Sequence, residues 1–320
     1  MVRTRKLALT EGVGAGILFG TAAVLVRYLQ DLDAFTIAFW RLIIASLVLA
    51  AALVLLRRSF SFALVRKNIF SLLFLSFFLG LHFIFFVSAV KDTTILNATV
   101  LVNLTPIFSV FVSSFIFKAK PSYFAIAGLT ISFAGVATIA YAETVNAGGI
   151  SGGTFTPSLK GDLEAILASF VEAFYLNYGR RIRKEMNVLS TMVPIYFLTA
   201  IIVGILAIPL SSHFLLFPVR IEIVLLLIGL GILPTAIAHT LYFSSLSNLK
   251  SFETATMALL EPIGATILGV FLFQEIPGSI FILGASLILM GILFIIVVKE
   301  EGSGTLYRVN ERSQNSAGKK

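Results

Sequence analysis

Cysteine is absent from this chain of 320 residues, and charged side chains make up only 12% of it. Without cysteine the protein has no disulfide, no catalytic thiol and no zinc–thiolate site. A soluble domain carries about 25% charged residues, whereas this sequence combines few charges with 58% hydrophobic residues. Alternating apolar and polar residues of the strand type are also missing, which favours a bundle of membrane helices over a barrel.

Several catalytic and transport motifs are missing as well. The sequence contains no aspartate-rich metal cluster, no glycine-rich phosphate loop, no Walker motif and no repeated filter sequence. These absences argue against a metal-dependent enzyme, an ATP-driven pump and an ion channel. A membrane-embedded enzyme acting on a lipid-linked substrate remains the alternative function, and we predict no cofactor and no metal.

Long apolar stretches account for most of the sequence. A membrane-spanning helix needs about 20 predominantly apolar residues. Ten such stretches occur, at residues 8–29, 34–56, 69–90, 94–117, 122–142, 161–179, 189–210, 221–247, 252–274 and 279–298. We therefore predict an all-α membrane protein with ten transmembrane helices.

The net charge of +8 is unevenly distributed between the two sides of these spans. One side carries Arg3, Arg5, Lys6, Arg57, Arg58, Arg66, Lys67, Lys118, Lys120, Arg180, Arg181, Arg183, Lys184, Lys250 and the basic C-terminal tail. The other side carries only Arg27, Lys91, Lys160 and Arg220, mixed with acidic residues. This asymmetry is the positive-inside pattern. It predicts a multi-pass protein of the cell (inner or plasma) membrane with both termini in the cytoplasm, and it explains the basic charge without a nucleic-acid partner.

The two halves of the chain repeat one pattern 156 positions apart. The matching pairs are Pro106 with Pro262, Gly128 with Gly284, and Gly135 with Gly291. Because five spans per half is an odd number, the halves are predicted to be inverted repeats, an arrangement typical of secondary transporters. The predicted units are a first repeat at 1–142, an external linker at 143–160, a second repeat at 161–298 and a cytoplasmic tail at 299–320.

Small residues spaced four apart mark one face of the first predicted span. Gly12, Gly16 and Gly20 share this face, and such spacing lets the backbones of two membrane helices approach closely. The face is predicted to pack either within one subunit or between two, so a homodimer is one of the two outcomes.

The repeated segments resemble a known family. Ala89–Ile139, with Thr105-Pro106, Gly128 and Gly135, resembles the closing half of an EamA domain, and Met257–Pro262 with Gln274-Glu275, Gly284 and Gly291 resembles a second copy. Phe39-Trp40-Arg41 resembles the arginine-containing signature found early in that domain. The resemblance implies the drug/metabolite transporter superfamily, with ten helices, a central cavity and, in many members, export of amino acids or related metabolites. The acidic residue that the family has after the fourth helix of a repeat is present as Glu275 but is replaced by Ala119 in the first half.

Polar residues within the predicted spans are the candidate substrate-binding residues. An ionisable side chain at bilayer depth costs about 2.5–3.5 kcal/mol on insertion scales, so it usually faces the bundle interior or water. The candidates are Arg41, His82, Asn97, Asn103, Glu172, Tyr175, His239, Tyr242 and Glu261.

Each candidate has a structural alternative. Arg41 is equally consistent with an ion pair to Glu172 or Glu261, the histidines with neutral hydrogen-bonded core residues, and the asparagines with interhelical hydrogen bonds. Glu261 breaks the symmetry between the halves, because its counterpart in the first half is the neutral Thr105. A carboxylate there would bind a proton or a cationic group of the substrate.

The function predicted from the sequence is therefore secondary transport. The predicted protein moves a small metabolite, an amino acid or a related compound, by alternating access, with efflux as the direction and protons as candidate coupling ions. Its predicted partners are the substrate and the lipid bilayer.

Overall fold

The computed structural model describes residues 4–57, 60–93, 95–118, 121–147, 158–211, 215, 218, 220–273 and 279–297. Every regular element within these ranges is a helix. Several predicted features lie outside them: the glycine-rich part of the linker at 148–153, the tail at 299–320, Ala119 and Glu275.

The helices of the first half are α1 (Arg5–Arg27), α2 (Ala34–Leu55), the short α3 (Phe62–Lys67), α4 (Ile69–Asp92), α5 (Ile95–Val102), α6 (Thr105–Phe115) and α7 (Tyr123–Ala147). Those of the second half are α8 (Leu159–Ile182), α9 (Val188–Ala207), α10 (Ile221–Leu230), a π-helix at Gly231–His239, α11 (Thr240–Ser245), α12 (Ser251–Met257), a 3₁₀ turn at Ala258–Leu260, α13 (Glu261–Phe273) and α14 (Ser279–Val297).

Six helical segments of the described chain are long and apolar enough to cross a membrane: Arg5–Arg27, Ala34–Leu55, Ile69–Asp92, Asn97–Phe115, Val188–Ala207 and Ile221–Ser245. Shorter apolar helices cover Tyr123–Thr138 and Ile282–Ile295. These findings confirm an all-α membrane protein. The count of ten spans and the inverted arrangement of the repeats remain predictions.

The prolines that the two halves share lie at helix breaks. Pro106 follows the turn that separates α5 from α6, and Pro262 follows the 3₁₀ turn that separates α12 from α13. Proline lacks a backbone N–H and its ring clashes with the preceding turn, so it is tolerated best in the first turn of a helix. A third proline, Pro234, lies inside the π-helix. The predicted interruption of these segments is confirmed.

The glycine face of α1 is covered by the same chain. A Cβ atom on Gly16 would overlap the Met257 carbonyl group, and one on Gly12 would lie 2.9 Å from the Met257 side chain. A Cβ atom on Gly20 would lie 2.3 Å from the backbone nitrogen of Ala265 and 2.5 Å from the carbonyl carbon of Gly264. The face therefore packs within one subunit, against α12 and α13, and is not available to a second copy.

Helices α7 and α14 meet through reciprocal glycine contacts. A Cβ atom on Gly128 would lie 2.6 Å from the Gly291 carbonyl oxygen, and one on Gly135 would lie 2.6 Å from the Gly284 carbonyl oxygen. Gly128 corresponds to Gly284 in the repeat, and Gly135 corresponds to Gly291. Each helix thus contacts the other with the same patch of surface, which is the pattern of a two-fold axis.

Polar contacts tie the helix ends together at one end of the bundle, which we call the Asp92 end. Lys160 Nζ lies 2.7 Å from Asp92 Oδ2, and Arg220 Nη1 lies 3.0 Å from Asp31 Oδ2. Asp33 caps α2. Partial burial acts to raise the pKa of Asp33, but hydrogen bonds from Thr36, Ser211 and Phe35 prevail and lower it, so the cap stays charged to a lower pH than a free aspartate does.

The opposite end of the bundle, which we call the Arg5 end, has its own tie. Arg5 Nη2 donates to Glu253 Oε1 at 2.6 Å, which joins the start of α1 to α12. Glu253 Oε2 also accepts from the backbone N–H of Lys250 at 2.7 Å and so closes the first turn of α12.

Candidate functional site

A small cavity of about 30 Å³ lies among the broken helices. In this structure it has room for about two water molecules. Its lining consists of Phe19, Ala22, Arg41, His82, Phe83, Phe86, Val102, Asn103, Glu172, His239, Ala258 and Glu261. Six of the nine predicted site residues are in this set, and they come from six separate stretches of the chain.

Glu261 is the first residue of α13. Its side chain is buried and its Oε2 accepts a hydrogen bond from Asn103 Nδ2 at 3.2 Å. The N-terminus of a helix carries a partial positive charge, which favours an acidic group there. The helix break that precedes α13 therefore places this carboxyl group at the cavity. The positive end of the α13 dipole stabilises the carboxylate there, as a cation would.

Glu172, on α8, also lines the cavity, and its partners differ from those of Glu261. Its Oε2 accepts a hydrogen bond from Thr105 Oγ1 at 2.8 Å and lies 3.9 Å from His82 Nδ1. His82 Nδ1 also lies 3.1 Å from the carbonyl oxygen of Ala168, which can only accept, so this nitrogen carries the proton. His82 is hydrogen-bonded, as its structural alternative supposes, but it also faces the cavity.

Arg41 is buried on α2 without an acidic partner. Its Nε donates to Thr235 Oγ1 at 2.9 Å, and its guanidinium lies 4.2 Å from the centre of the Phe83 ring. Among the described residues no carboxylate lies within ion-pair distance of Arg41, and its Nη1 has no hydrogen-bond partner. The proposed ion pair with Glu172 or Glu261 is therefore not formed in this structure, because the threonine and the aromatic ring hold the guanidinium instead.

His239 ends the π-helix and lies in an aromatic surrounding. Its ring centre lies 4.7 Å from that of Phe19, 4.9 Å from that of Phe83 and 5.8 Å from that of His82. Within the described part of the chain, its Nδ1 has no hydrogen-bond partner. The structural alternative predicted for His239, a hydrogen-bonded core residue, is therefore wrong for this nitrogen.

Three predicted site residues lie away from the cavity lining. Asn97 donates to Asp162 Oδ1 at 3.1 Å, Tyr175 donates to Met192 Sδ at 3.6 Å, and Tyr242 packs its ring 5.1 Å from that of Phe19. Asn97 precedes Asn103 by six residues, which is about 9 Å along a helix at 1.5 Å per residue. Its interhelical hydrogen bond at the Asp92 end agrees with its structural alternative.

Sequence reasoning did not identify the aromatic wall formed by Phe19, Phe83 and Phe86. Thirty phenylalanines occur in the chain, and no sequence signal separates those at a cavity from those that face lipid. Thr235, the partner of Arg41, was also missed, although its position directly after Pro234 inside a predicted span is a signal that could have found it.

The two broken helices, α5–α6 and α12–α13, meet at the cavity, and they contact each other unequally on its two sides. On the Arg5 side, α6 packs closely against α12, whose residues are all buried. The contact between α5 and α13, which corresponds to it in the repeat, is much less extensive among the described residues. Among the described residues, the two broken helices therefore pack together more closely on the Arg5 side of the cavity than on the Asp92 side.

Comparisons with known proteins agree with this architecture. The EamA-like transporter family matches residues 7–141 and again residues 159–297. The uncharacterized transporter YxxF of Bacillus subtilis (strain 168) is 22% identical over 300 residues, which cover 93% of this chain and 92% of that protein. An uncharacterized transporter of Archaeoglobus fulgidus is 26% identical over 274 residues, 82% of this chain and 88% of that protein. A protein crystal structure with 20% sequence identity superposes with a TM-score of 0.74, covering 91% of this chain and 97% of that one, and so shares the fold.

Proposed function

Since this chain belongs to the EamA-like transporter family, we propose that it is a secondary carrier that exports a zwitterionic metabolite, an amino acid or a related compound, by proton-coupled alternating access. One observation carries the proposal. Arg41, Glu172 and Glu261 are buried around a single cavity, and the arginine is not paired with either carboxyl group.

The charges of the cavity match those of a zwitterion. A buried charge without an opposite charge is costly, and a ligand that supplies one removes that cost. The unpartnered Nη1 of Arg41 is suited to a substrate carboxylate, whereas Glu172 and Glu261 are suited to an ammonium group. The phenyl rings of Phe19, Phe83 and Phe86 provide the apolar surface for the rest of the molecule.

Alternating access is supported by the internal repeat. The reciprocal contacts of Gly128 with Gly291 and Gly135 with Gly284 fit two halves that are related by a two-fold axis. If the halves exchange conformations, the tight contact between α6 and α12 passes to α5 and α13. The cavity would then close toward the Asp92 end and open toward the Arg5 end.

Reporter fusions would test the membrane topology on which this cycle depends. Fusions after Lys67 and Lys184 are expected to report the cytoplasm, and one within 148–153 is expected to report the outside, because the basic connections stay on the cytoplasmic side. The readout is an enzyme pair that is active on opposite sides of the membrane. A cytoplasmic location for the loop at 148–153 would overturn the inverted ten-span arrangement.

Flux through purified protein in liposomes would test the substrate class. A panel of zwitterionic amino acids and their decarboxylated amines is expected to reveal a saturable flux that leaves the mass of the transported compound unchanged. Arg41→Gln is expected to raise the half-saturation concentration of the zwitterion about tenfold or more, the value of a hydrogen bond to a charged group, and to affect the amine much less. The exposed Arg66→Gln serves as the control.

Three outcomes would contradict the proposal. Flux that does not saturate would indicate a channel, and a product of altered mass would indicate the alternative enzyme. Equal effects of Arg41→Gln on the zwitterion and its amine would show that the guanidinium does not bind a substrate carboxylate.

A further inference from the structure

A second cavity, of about 200 Å³, opens near the ends of α6 and α8. Its lining consists of Ser113, Phe117, Asn177, Arg180, Arg181, Lys184 and Ser251. Three of these side chains are basic, and none of the described residues that line the cavity is acidic. The cavity does not share any lining residue with the central site, so it is a separate feature of the molecule.

The floor of this cavity is built from buried polar groups. Ser113, Asn177 and Ser251 are all buried. Asn177 Nδ2 donates to Ser109 Oγ at 2.9 Å, which ties α8 to α6, and Ser251 Oγ donates to the Leu176 carbonyl oxygen at 3.4 Å, which ties α12 to α8. A concave polar floor beneath three cations is a different environment from that of isolated basic residues in a solvated loop.

Two exposed aromatic rings lie on α6, the helix that carries the cavity residue Ser113. On α6, Phe111 is 56% exposed and Phe115 is 78% exposed, and their rings stack with an interplanar angle of 6°. In a membrane-embedded helix such exposed rings face lipid chains rather than water. Phe111 and Phe115 lie six and two residues before Phe117, the aromatic residue that lines the cavity itself.

From this lining we propose that the cavity binds the phosphate headgroup of an anionic phospholipid, whose acyl chains extend from the cavity past Phe117. The basic side chains offer several hydrogen-bond donors to phosphate oxygens, and arginine suits this geometry particularly well. Basic pockets between membrane helices on the cytoplasmic side are suited to lipid headgroups. The bound lipid links α6, α8 and α12, which are the helices that close the Arg5 side of the central cavity.

Thermal unfolding of the purified full-length protein in detergent would measure this binding. Added phosphatidylglycerol is expected to raise the unfolding temperature of the native protein, whereas phosphatidylcholine and inorganic phosphate are expected to have little effect. The double variant R181Q/K184Q is expected to bind phosphatidylglycerol roughly 30-fold more weakly, the loss expected for two basic residues at an anionic surface. The single variants R181Q and K184Q are expected to lose part of that affinity each.

The matched control is the double variant R66Q/K67Q, which removes the same charge from α3, outside the cavity. It is expected to keep the native response to phosphatidylglycerol. Equal losses in the two double variants would show a general charge effect and would overturn the proposal, as would a full response to inorganic phosphate alone. None of these readouts depends on transport, so they test the lipid proposal independently of the proposed function.

Flux in vesicles distinguishes the lipid site from a part of the transport pathway. The native protein is expected to transport faster when phosphatidylglycerol is added to phosphatidylcholine vesicles, and R181Q/K184Q is expected to lose that gain. If the double variant instead shifts the half-saturation concentration of substrate equally in both kinds of vesicle, the cavity belongs to the substrate pathway and the lipid proposal is wrong.

Discussion

Replacing Glu261 with glutamine is expected to abolish concentrative transport while leaving, at most, downhill exchange. Glutamine keeps the shape of the side chain and still offers an oxygen to Asn103, whose Nδ2 lies 3.2 Å from Glu261 Oε2. It removes the titratable carboxyl group, which allows the residue to bind a proton in one state of the cycle and to release it in the other.

The surroundings of Glu261 explain why the effect should be large. Among the described residues no cation lies within ion-pair distance of its carboxyl group, which is stabilised only by Asn103 and the start of α13. A buried carboxylate held in this way is costly when charged, so a proton or a substrate ammonium group changes the relative energies of the two states of the carrier. An amide cannot do so.

The measurement is accumulation of substrate against its gradient in vesicles with an imposed pH difference. Glu222→Gln provides a matched control, since the Glu222 side chain is 68% exposed and lies outside the cavity. Glu172→Gln provides the competing test, because Glu172 is the other buried carboxyl group at the site. Normal pH-dependent accumulation by the Glu261→Gln protein would reduce Glu261 to a structural role and move the coupling to Glu172.

Replacing Gly16 with leucine is expected to prevent assembly of the folded bundle. A Cβ atom at this position already overlaps the Met257 carbonyl group and lies 3.1 Å from the Leu260 side chain. Because the obstacle is backbone, it cannot be relieved by a change of rotamer. Overpacking typically costs about 1–3 kcal/mol, and here the whole of α1 would have to move away from α12.

Gly14 supplies the matched control on the same helix. A Cβ atom there would lie 4.0 Å from the nearest side chain, Leu241, so Gly14→Ala is expected to fold normally, whereas Gly16→Ala is expected to be destabilised. The yield of monodisperse protein and its unfolding temperature are the readouts. Native yield and transport in Gly16→Leu would mean that the face of α1 does not pack against α12 in the membrane.

Much of the fold was predictable from the sequence because the physical requirements of a membrane are local. The bilayer demands about 20 apolar residues per span, and it penalises buried charge, so composition and hydropathy alone indicated a helical membrane protein. The repeat of Pro106 and Pro262 correctly indicated where these two segments are interrupted, because proline lacks a backbone N–H and its ring clashes with the preceding turn. A proline does not by itself determine a break, since Pro194 lies inside the continuous helix α9.

The candidate site was predictable only in part. Glu172 and Glu261 were conspicuous because ionisable residues are rare at bilayer depth, and both line the cavity. Asn97 was selected only as a polar residue within a predicted span, and it lies about 9 Å along the helix from Asn103, at the Asp92 end. The phenylalanines of the cavity wall carried no signal, because the same side chain also suits the lipid-facing surface.

The sequence by itself therefore determined the class of the protein, the positions of the helix breaks at Pro106 and Pro262, and the ionisable residues within the spans that were candidates for the site. Only the tertiary structure decided that Arg41 rests on Phe83 and Thr235 rather than on a carboxylate, and that Gly16 packs against Met257 of its own chain. The physical reason is that hydropathy and helix breaking act on neighbours along the chain. Pairing and packing depend on which faces of distant helices meet, as with Arg41 and Thr235, which are 194 residues apart.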